Sequence, residues 1–220
     1  MGETSTKTII IGRTASGKDT LREACERHGM SFVKSYTTRP RRPGEDGTHE
    51  FVTMDEAREL MSHGTLAETW IAGNAYFATV EQLMEADGYI VDPAGLDMLC
   101  DVIEAKGLSI RLDVVYVTAD RERAHEAFLS RGGPSAAAAY LARNEAEDDM
   151  FTKFERSIGS LQARHPSSIR RVSSFENDYS PETMNLIGGY VAMEHAIDNE
   201  RLVWEPYPDW DDWTIDEPSR

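Results

Sequence analysis

Along the chain, short uninterrupted apolar runs alternate with stretches whose apolar positions recur every three or four residues. That alternation predicts buried parallel strands joined by amphipathic helices, an α/β fold. Thr8 to Ile11, Tyr89 to Val91, Leu112 to Val117 and Val172 to Phe175 read as core strands, with a further short strand over Ser31 to Lys34. Leu21, Ala24, Cys25 and His28 share one face of a helix that Gly29 closes as its C-cap. His28 on that face reads as a packed histidine rather than a ligand. Leu96, Leu99, Cys100 and Ile103 mark a second helix, and Arg121 to Leu129 a third, which Arg131, Gly132, Gly133 and Pro134 break sharply. Arg143 to Leu161 reads as one long acidic helix, and a last helix starts at Pro181. Between Phe51 and Gly88 the pattern is a small inserted α/β lobe, with a helix from Met54 to His63 and an apolar stripe of Val80, Leu83 and Met84.

The first strand runs into Gly12, Arg13, Thr14, Ala15, Ser16, Gly17, Lys18, Asp19 and Thr20, and a helix follows directly. Two glycines at Walker A spacing, a lysine, and a strand and helix on either side make this a phosphate-binding loop. Its backbone N–H groups turn inward around phosphate oxygens, Lys18 adds a point charge, and the helix N-terminus adds unpaired amides. The pattern asks for Ser or Thr after the lysine, to place a hydroxyl on Mg²⁺; Asp19 stands there, with Thr20 behind it. A carboxylate beside a triphosphate repels it by about 4 kcal/mol per unit-charge pair at 4 Å and an effective dielectric near 20. Bound Mg²⁺ reverses that sign, because a hard cation accepts carboxylate oxygen. Asp19 and Thr20 are therefore candidate metal ligands.

Two hundred and twenty residues suit one α/β domain with insertions, and no repeat of fixed period is visible. A formal charge of −16 argues against binding nucleic acid through its backbone. It leaves nucleotides open, because cationic residues cluster locally at Lys34, Arg39, Arg41 and Arg42. Cys25 and Cys100 lie in apolar helical patterns and read as buried free thiols. With no signal-peptide pattern and no apolar run of about eighteen residues, a soluble cytoplasmic chain without membrane contact is expected.

Ser35 to Glu45 reads Ser-x-Thr-Thr-Arg-Pro-x-Arg-x-Gly-Glu, with its arginines too close together for an ordinary solvated face. Taken with the phosphate loop, His49 to Val52, Glu68, Gly73 to Tyr76, Val91 to Gly95 and Ser130 to Gly133, this segment resembles the guanylate kinase family over roughly residues 7 to 192. The resemblance implies a three-layer P-loop fold with a central parallel sheet. Its core would be residues 7–34 and 88–197, its acceptor-binding lobe about 35–87 and its lid about 131–143, followed by a tail at 198–220. It implies phosphorylation of GMP, and of dGMP, with MgATP as donor, by a monomer or homodimer. Lys18 and the lid arginines Arg131 and Arg143 would stabilise the transferring group. Arg39, Arg42, Tyr76 and His49 would hold the acceptor phosphate, Ser35 and Glu68 the guanine, and Asp92 would lie near acceptor and metal.

The chemistry is consistent with those roles. Phosphoryl transfer brings two polyanions together, and guanidinium groups neutralise and orient phosphate through paired N–H bonds. A phosphate monoester with a second pKa near 6 needs no general base, so positioning and charge stabilisation suffice. One carboxylate offers two acceptors to the N1–H and N2 donors of guanine, which adenine lacks. Arg143 matches the family with an offset of one position, and a surface ion pair with Glu147 at i+4 is its other reading.

The chain also departs from the family pattern. His49 stands where the family usually has a tyrosine, and Ala78 replaces a base-contacting Ser or Thr, with Thr79 following. Asn177, in the closing Asn-Asp turn, reads as structural. The tail mixes acids with Trp204, Tyr207, Trp210 and Trp213, an aromatic content unlike pure disorder. Two other functions fit parts of the pattern. Ribose 1,5-bisphosphate kinase is a relative that also carries Gly-Lys-Asp. A non-catalytic binding module of the family would typically lack the glycines, lysine and lid arginine that this chain keeps at Gly12, Gly17, Lys18 and Arg131.

Overall fold

The structure, a computed structural model, describes residues 4–41, 47, 49–71, 73–132 and 136–200, with 71, 131, 132 and 136 described in backbone only. Among the described residues, eight strands and eight α-helices follow in chain order: β1 (Ser5–Gly12), α1 (Lys18–Arg27), β2 (Ser35–Thr37), β3 (His49–Phe51), α2 (Met54–Ser62), β4 (Thr65–Ile71), β5 (Asn74–Thr79), α3 (Val80–Glu85), β6 (Gly88–Ile90), α4 (Pro93–Lys106), β7 (Ile110–Ala119), α5 (Arg121–Gly132), α6 (Ala136–Ser157), α7 (Leu161–Arg164), β8 (Ile169–Asn177) and α8 (Pro181–Asp198).

The central sheet is wholly parallel in the order β6-β1-β7-β8. Its strands are apolar on both faces because helices cover both, which is why they read as continuous runs. Ile9 and Ile11 of β1 face a core with Leu96, Leu99, Phe151 and Phe154 of α4 and α6. Ile10 between them faces the other core, with Leu21, Cys25, Met184 and Val191 of α1 and α8. The result is the three-layer α/β fold with a central parallel sheet. Cys25 and Cys100 are buried free thiols, and burial pushes them up to about 12 and about 11.

A second sheet, ordered β3-β2-β5-β4, is built from residues 35 to 79. β2 pairs with β3 in parallel and with β5 antiparallel, and β4 and β5 form an antiparallel hairpin. Leu66, Ala67 and Ala78 fix one face of this sheet to the α4 core, while Phe77 and Ala75 pack with Ala57 of α2 on the other.

Several local expectations change. Ser31 to Lys34 forms only a bridge between Phe32 and Gly88, whose bare Cα admits the Phe32 ring. Ser35 to Thr37, at the start of the arginine-bearing segment, is a strand, because β3 and β5 flank it on both sides. His28 is exposed, since the helix ends there: it is the C-cap, and Gly29 takes the left-handed φ of 90° that follows. Met84 is half exposed, at 50%, on the outer side of α3. The acidic helix begins at Ala136 rather than Arg143 and ends at Ser157, before a turn of 3₁₀ helix. No helix of the described residues is long and apolar enough to cross a membrane.

Candidate active site

β1 delivers the loop from Gly12 to Lys18, the expected phosphate loop, to the C-terminal edge of the sheet, where ligands of open α/β sheets bind. The loop reverses through two residues at left-handed φ, Ala15 at 62° and Gly17 at 96°. A Cβ on Gly12 would lie 2.4 Å from Ser16 Oγ and 2.6 Å from the Val117 carbonyl, so only glycine lets β1 turn there. Gly17 is equally constrained, its ideal Cβ falling 2.2 Å from Asn177 Nδ2.

Three supports hold the loop. Asn177 Nδ2 donates to the Ser16 carbonyl at 2.9 Å, and the Tyr179 hydroxyl donates to the Ala15 carbonyl at 2.8 Å. From α6, Glu155 and Asp148 take the Arg13 guanidinium, and Glu147 accepts from Thr14 N at 2.9 Å and Thr14 Oγ1 at 2.5 Å. Lys18 Nζ donates to the carbonyls of Gly12 and Arg13, at 2.6 and 2.8 Å. Burial lowers the Lys18 pKa, while Asp19, Glu147 and Asp92 lie close enough to oppose that.

A cleft of about 290 Å³ opens over the loop, lined by Thr14, Ala15, Gly17, Lys18, Asp19, Thr20, Phe128 and Arg143. Arg143 thus reaches the phosphate loop, its guanidinium 5.8 Å from the centre of the Phe128 ring. Among the described residues it forms no ion pair, because Glu147, its i+4 neighbour, is engaged by Thr14 instead. The described residues contain no cluster of three or more His, Cys, Asp or Glu able to hold a metal by themselves. Asp19 and Thr20 are exposed on the cleft wall, and Asp92 N-caps α4, accepting from Gly95 N at 2.7 Å.

Register decides which lobe residues meet. Ser35 pairs with His49, Thr37 with Phe51, and Thr37 with Tyr76, so these side chains share one face of the second sheet. Ser35 Oγ lies 2.9 Å from His49 Nδ1, and the His49 and Tyr76 rings are 5.8 Å apart. Phe51 is a shared platform: the Arg39 and Arg41 guanidiniums lie 5.2 and 4.8 Å from its ring centre. Tyr89 of β6 lies beside Ser35 and within the field of Asp92, tying this face to the core, and burial raises its pKa.

Glu68 is elsewhere. It pairs with Phe77, which faces α2, and so projects from the sheet face opposite to Tyr76. There it accepts from the Trp70 indole at 2.7 Å. Ala78 is fully buried, and the Thr79 hydroxyl caps α3. Arg42, the Arg131 side chain and residues 201–220 of the tail lie outside the described residues.

Sequence reasoning gave no site role to Phe51 or Phe128, and it read Glu147 only as a helical neighbour of Arg143. An aromatic next to the paired arginine segment was the available signal for Phe51. Glu147 carried none, since its partner is 133 residues away.

No protein-family model matches the chain. A guanylate kinase from Symbiobacterium thermophilum is 30% identical over 148 residues, 61% of this chain and 67% of that one. One from Streptococcus agalactiae is 25% identical over 215 residues, 91% of this chain and 99% of its own. A solved guanylate kinase from Anaplasma phagocytophilum aligns over 89% of this chain and 87% of its own, with TM-score 0.47 and 14% identity. With a phosphate loop at the sheet edge, an appended sheet carrying paired arginines, and this similarity across two thirds of a curated relative, the chain belongs to the guanylate kinase family.

Proposed function

We propose that this protein, a nucleotide kinase, transfers the terminal phosphoryl group of ATP to GMP, and to dGMP, giving GDP by in-line displacement. The observation that carries the reading is the cleft itself, where the loop lysine and Arg143 of α6 face one space over the phosphate loop. Loop amides and Lys18 hold the donor phosphates, and Arg143 moves onto the transferring group as charge spreads over its oxygens. Phe128 keeps that guanidinium over the cleft. Arg39, stacked on Phe51 and 8% exposed, orients the acceptor phosphate with Tyr76 and His49. Ser35 contacts the base, and Arg42 and Arg131 complete the two phosphate sites in the family pattern.

Asp19 and Thr20, at the cleft wall, suit Mg²⁺ held on a nucleotide, because that ion takes one or two carboxylates and fills its shell with phosphate oxygens and water. Asp92 would add an outer contact. Such an ion supplies charge neutralisation between the phosphates and offsets the repulsion of Asp19.

The test is a coupled ADP assay with GMP, dGMP, AMP, CMP, UMP and ribose 1,5-bisphosphate in parallel. GMP and dGMP are expected to turn over fastest. Absence of turnover with every acceptor would end the kinase reading. One observation favours ribose 1,5-bisphosphate as the alternative acceptor: the Glu68 carboxylate lies on the sheet face opposite to Tyr76 and accepts from Trp70 there.

A further inference from the structure

Two charged side chains of α6, one turn apart, meet the phosphate loop in opposite senses. Arg143 brings a cation to the cleft. Glu147 instead sets a carboxylate on the backbone N–H and hydroxyl of Thr14, at 2.9 and 2.5 Å. Thr14 borders both the cleft with Lys18 and an adjoining cavity of about 140 Å³ lined by Arg13, Ser16, Tyr116 and Asn144. In a phosphate loop, amides of this kind are anion donors. Two other acids of the helix, Asp148 and Glu155, hold the Arg13 guanidinium rather than a loop amide. Glu147 differs, since a nucleotide phosphate approaching the same donors meets like charge. Lys18, which lines the cleft, feels the negative charges of Asp19, Glu147 and Asp92 and the positive charge of Arg143.

We propose that Glu147 is an anion latch: its carboxylate holds the N-terminal part of α6 to the loop through Thr14, and nucleotide phosphates displace it, freeing that part of the helix, ahead of the Asp148, Phe151 and Glu155 anchors, to carry Arg143 onto the transferring group. The inference rests on the kinase reading and adds a regulatory element to the same site. It makes donor binding and Arg143 movement one event. It also makes Glu147 a positioning residue, not a catalytic one.

The test is calorimetric titration of the full chain and of Glu147→Gln with a non-hydrolysable ATP analogue, ADP and AMP, each with Mg²⁺. Glutamine keeps an oxygen for the Thr14 N–H but carries no charge. The variant is expected to bind the ATP analogue about tenfold tighter, equivalent to roughly 1.4 kcal/mol. The gain should be smaller for ADP and absent for AMP, a dependence on phosphate charge that a purely structural role would not produce. An unchanged or weaker affinity for the ATP analogue, or an equal gain for all three ligands, overturns the latch while leaving the kinase reading intact. If neither protein binds the analogue, the phosphate-loop reading fails and takes the latch with it. Glu147→Ala serves as second variant. It should also bind the analogue more tightly and should melt lower without nucleotide, having lost both bonds to Thr14; unimproved binding by it likewise overturns the latch.

Discussion

The Asn177 carboxamide donates to the Ser16 carbonyl at 2.9 Å while its own oxygen accepts from Tyr179 N at 2.7 Å, so one buried side chain joins the end of β8 to the phosphate loop. Leaving one buried partner unsatisfied costs about 1–3 kcal/mol. Asn177→Ala should therefore lower stability by about 2 kcal/mol in urea denaturation and weaken ATP binding. Asn177→Asp keeps the acceptor but loses the donor, and should weaken ATP binding as well.

Ala15 and Gly17 both take left-handed φ, but only one has the residue that suits it. A left-handed alanine is strained by about 1–2 kcal/mol, and glycine recovers that less its own chain entropy of roughly 0.5–1 kcal/mol. Ala15→Gly should raise stability by at most about 1.5 kcal/mol. Gly17→Ala pushes a methyl group into Asn177 as well as straining the backbone, and should abolish nucleotide binding while lowering the melting temperature by several degrees.

On the proposed function, the two faces of the lobe sheet should separate Arg39 from Glu68 kinetically. Arg39→Ala should raise the KM for GMP and lower kcat/KM by about 10² or more, the loss of a charge-assisted phosphate contact. Glu68→Gln should change the KM for GMP by less than about threefold, because that side chain faces α2 and Trp70. A large KM effect at Glu68 would mean that β4 shifts register on binding.

At the other end of the sheet, Asp113 is buried between Arg170 and Arg171, which bind Asp198 and Glu194 in turn. Burial raises its pKa, but the two guanidiniums outweigh that and hold the carboxyl below its usual 3.8. A carboxyl with a depressed folded pKa contributes stability above its unfolded value and loses it as pH falls through the folded value. Stability should therefore decline below about pH 4. Asp113→Asn should flatten that decline and cost about 2–4 kcal/mol at neutral pH, measured by chemical denaturation.

What was legible in the chain was local. The phosphate loop could be read because its strand, glycines, lysine and helix are contiguous, and α4 because all four residues of its stripe became buried. Faces of the second sheet were not legible: a shift of one residue in a hairpin turns every side chain over, and the position of Glu68 follows from its pairing with Phe77 rather than from its distance to Tyr76. His28 had the right spacing but sat where the helix stops. Glu147 looked like a partner for Arg143 by helical spacing, and only the packing of α6 on β1 and its loop gave it to Thr14.

Arg13 is absorbed by the acids of α6 and lines the neighbouring cavity, which leaves Lys18 and Arg143 as the cations bordering the loop cleft among the described residues. That small basic spot belongs to a chain whose formal net charge is −16. A diffusing triphosphate is therefore pushed away at long range and drawn in only within about 8 Å at physiological ionic strength. Capture should quicken as sodium chloride is added from low ionic strength, the reverse of electrostatic steering, and stopped-flow mixing with a fluorescent ATP analogue would record that slope.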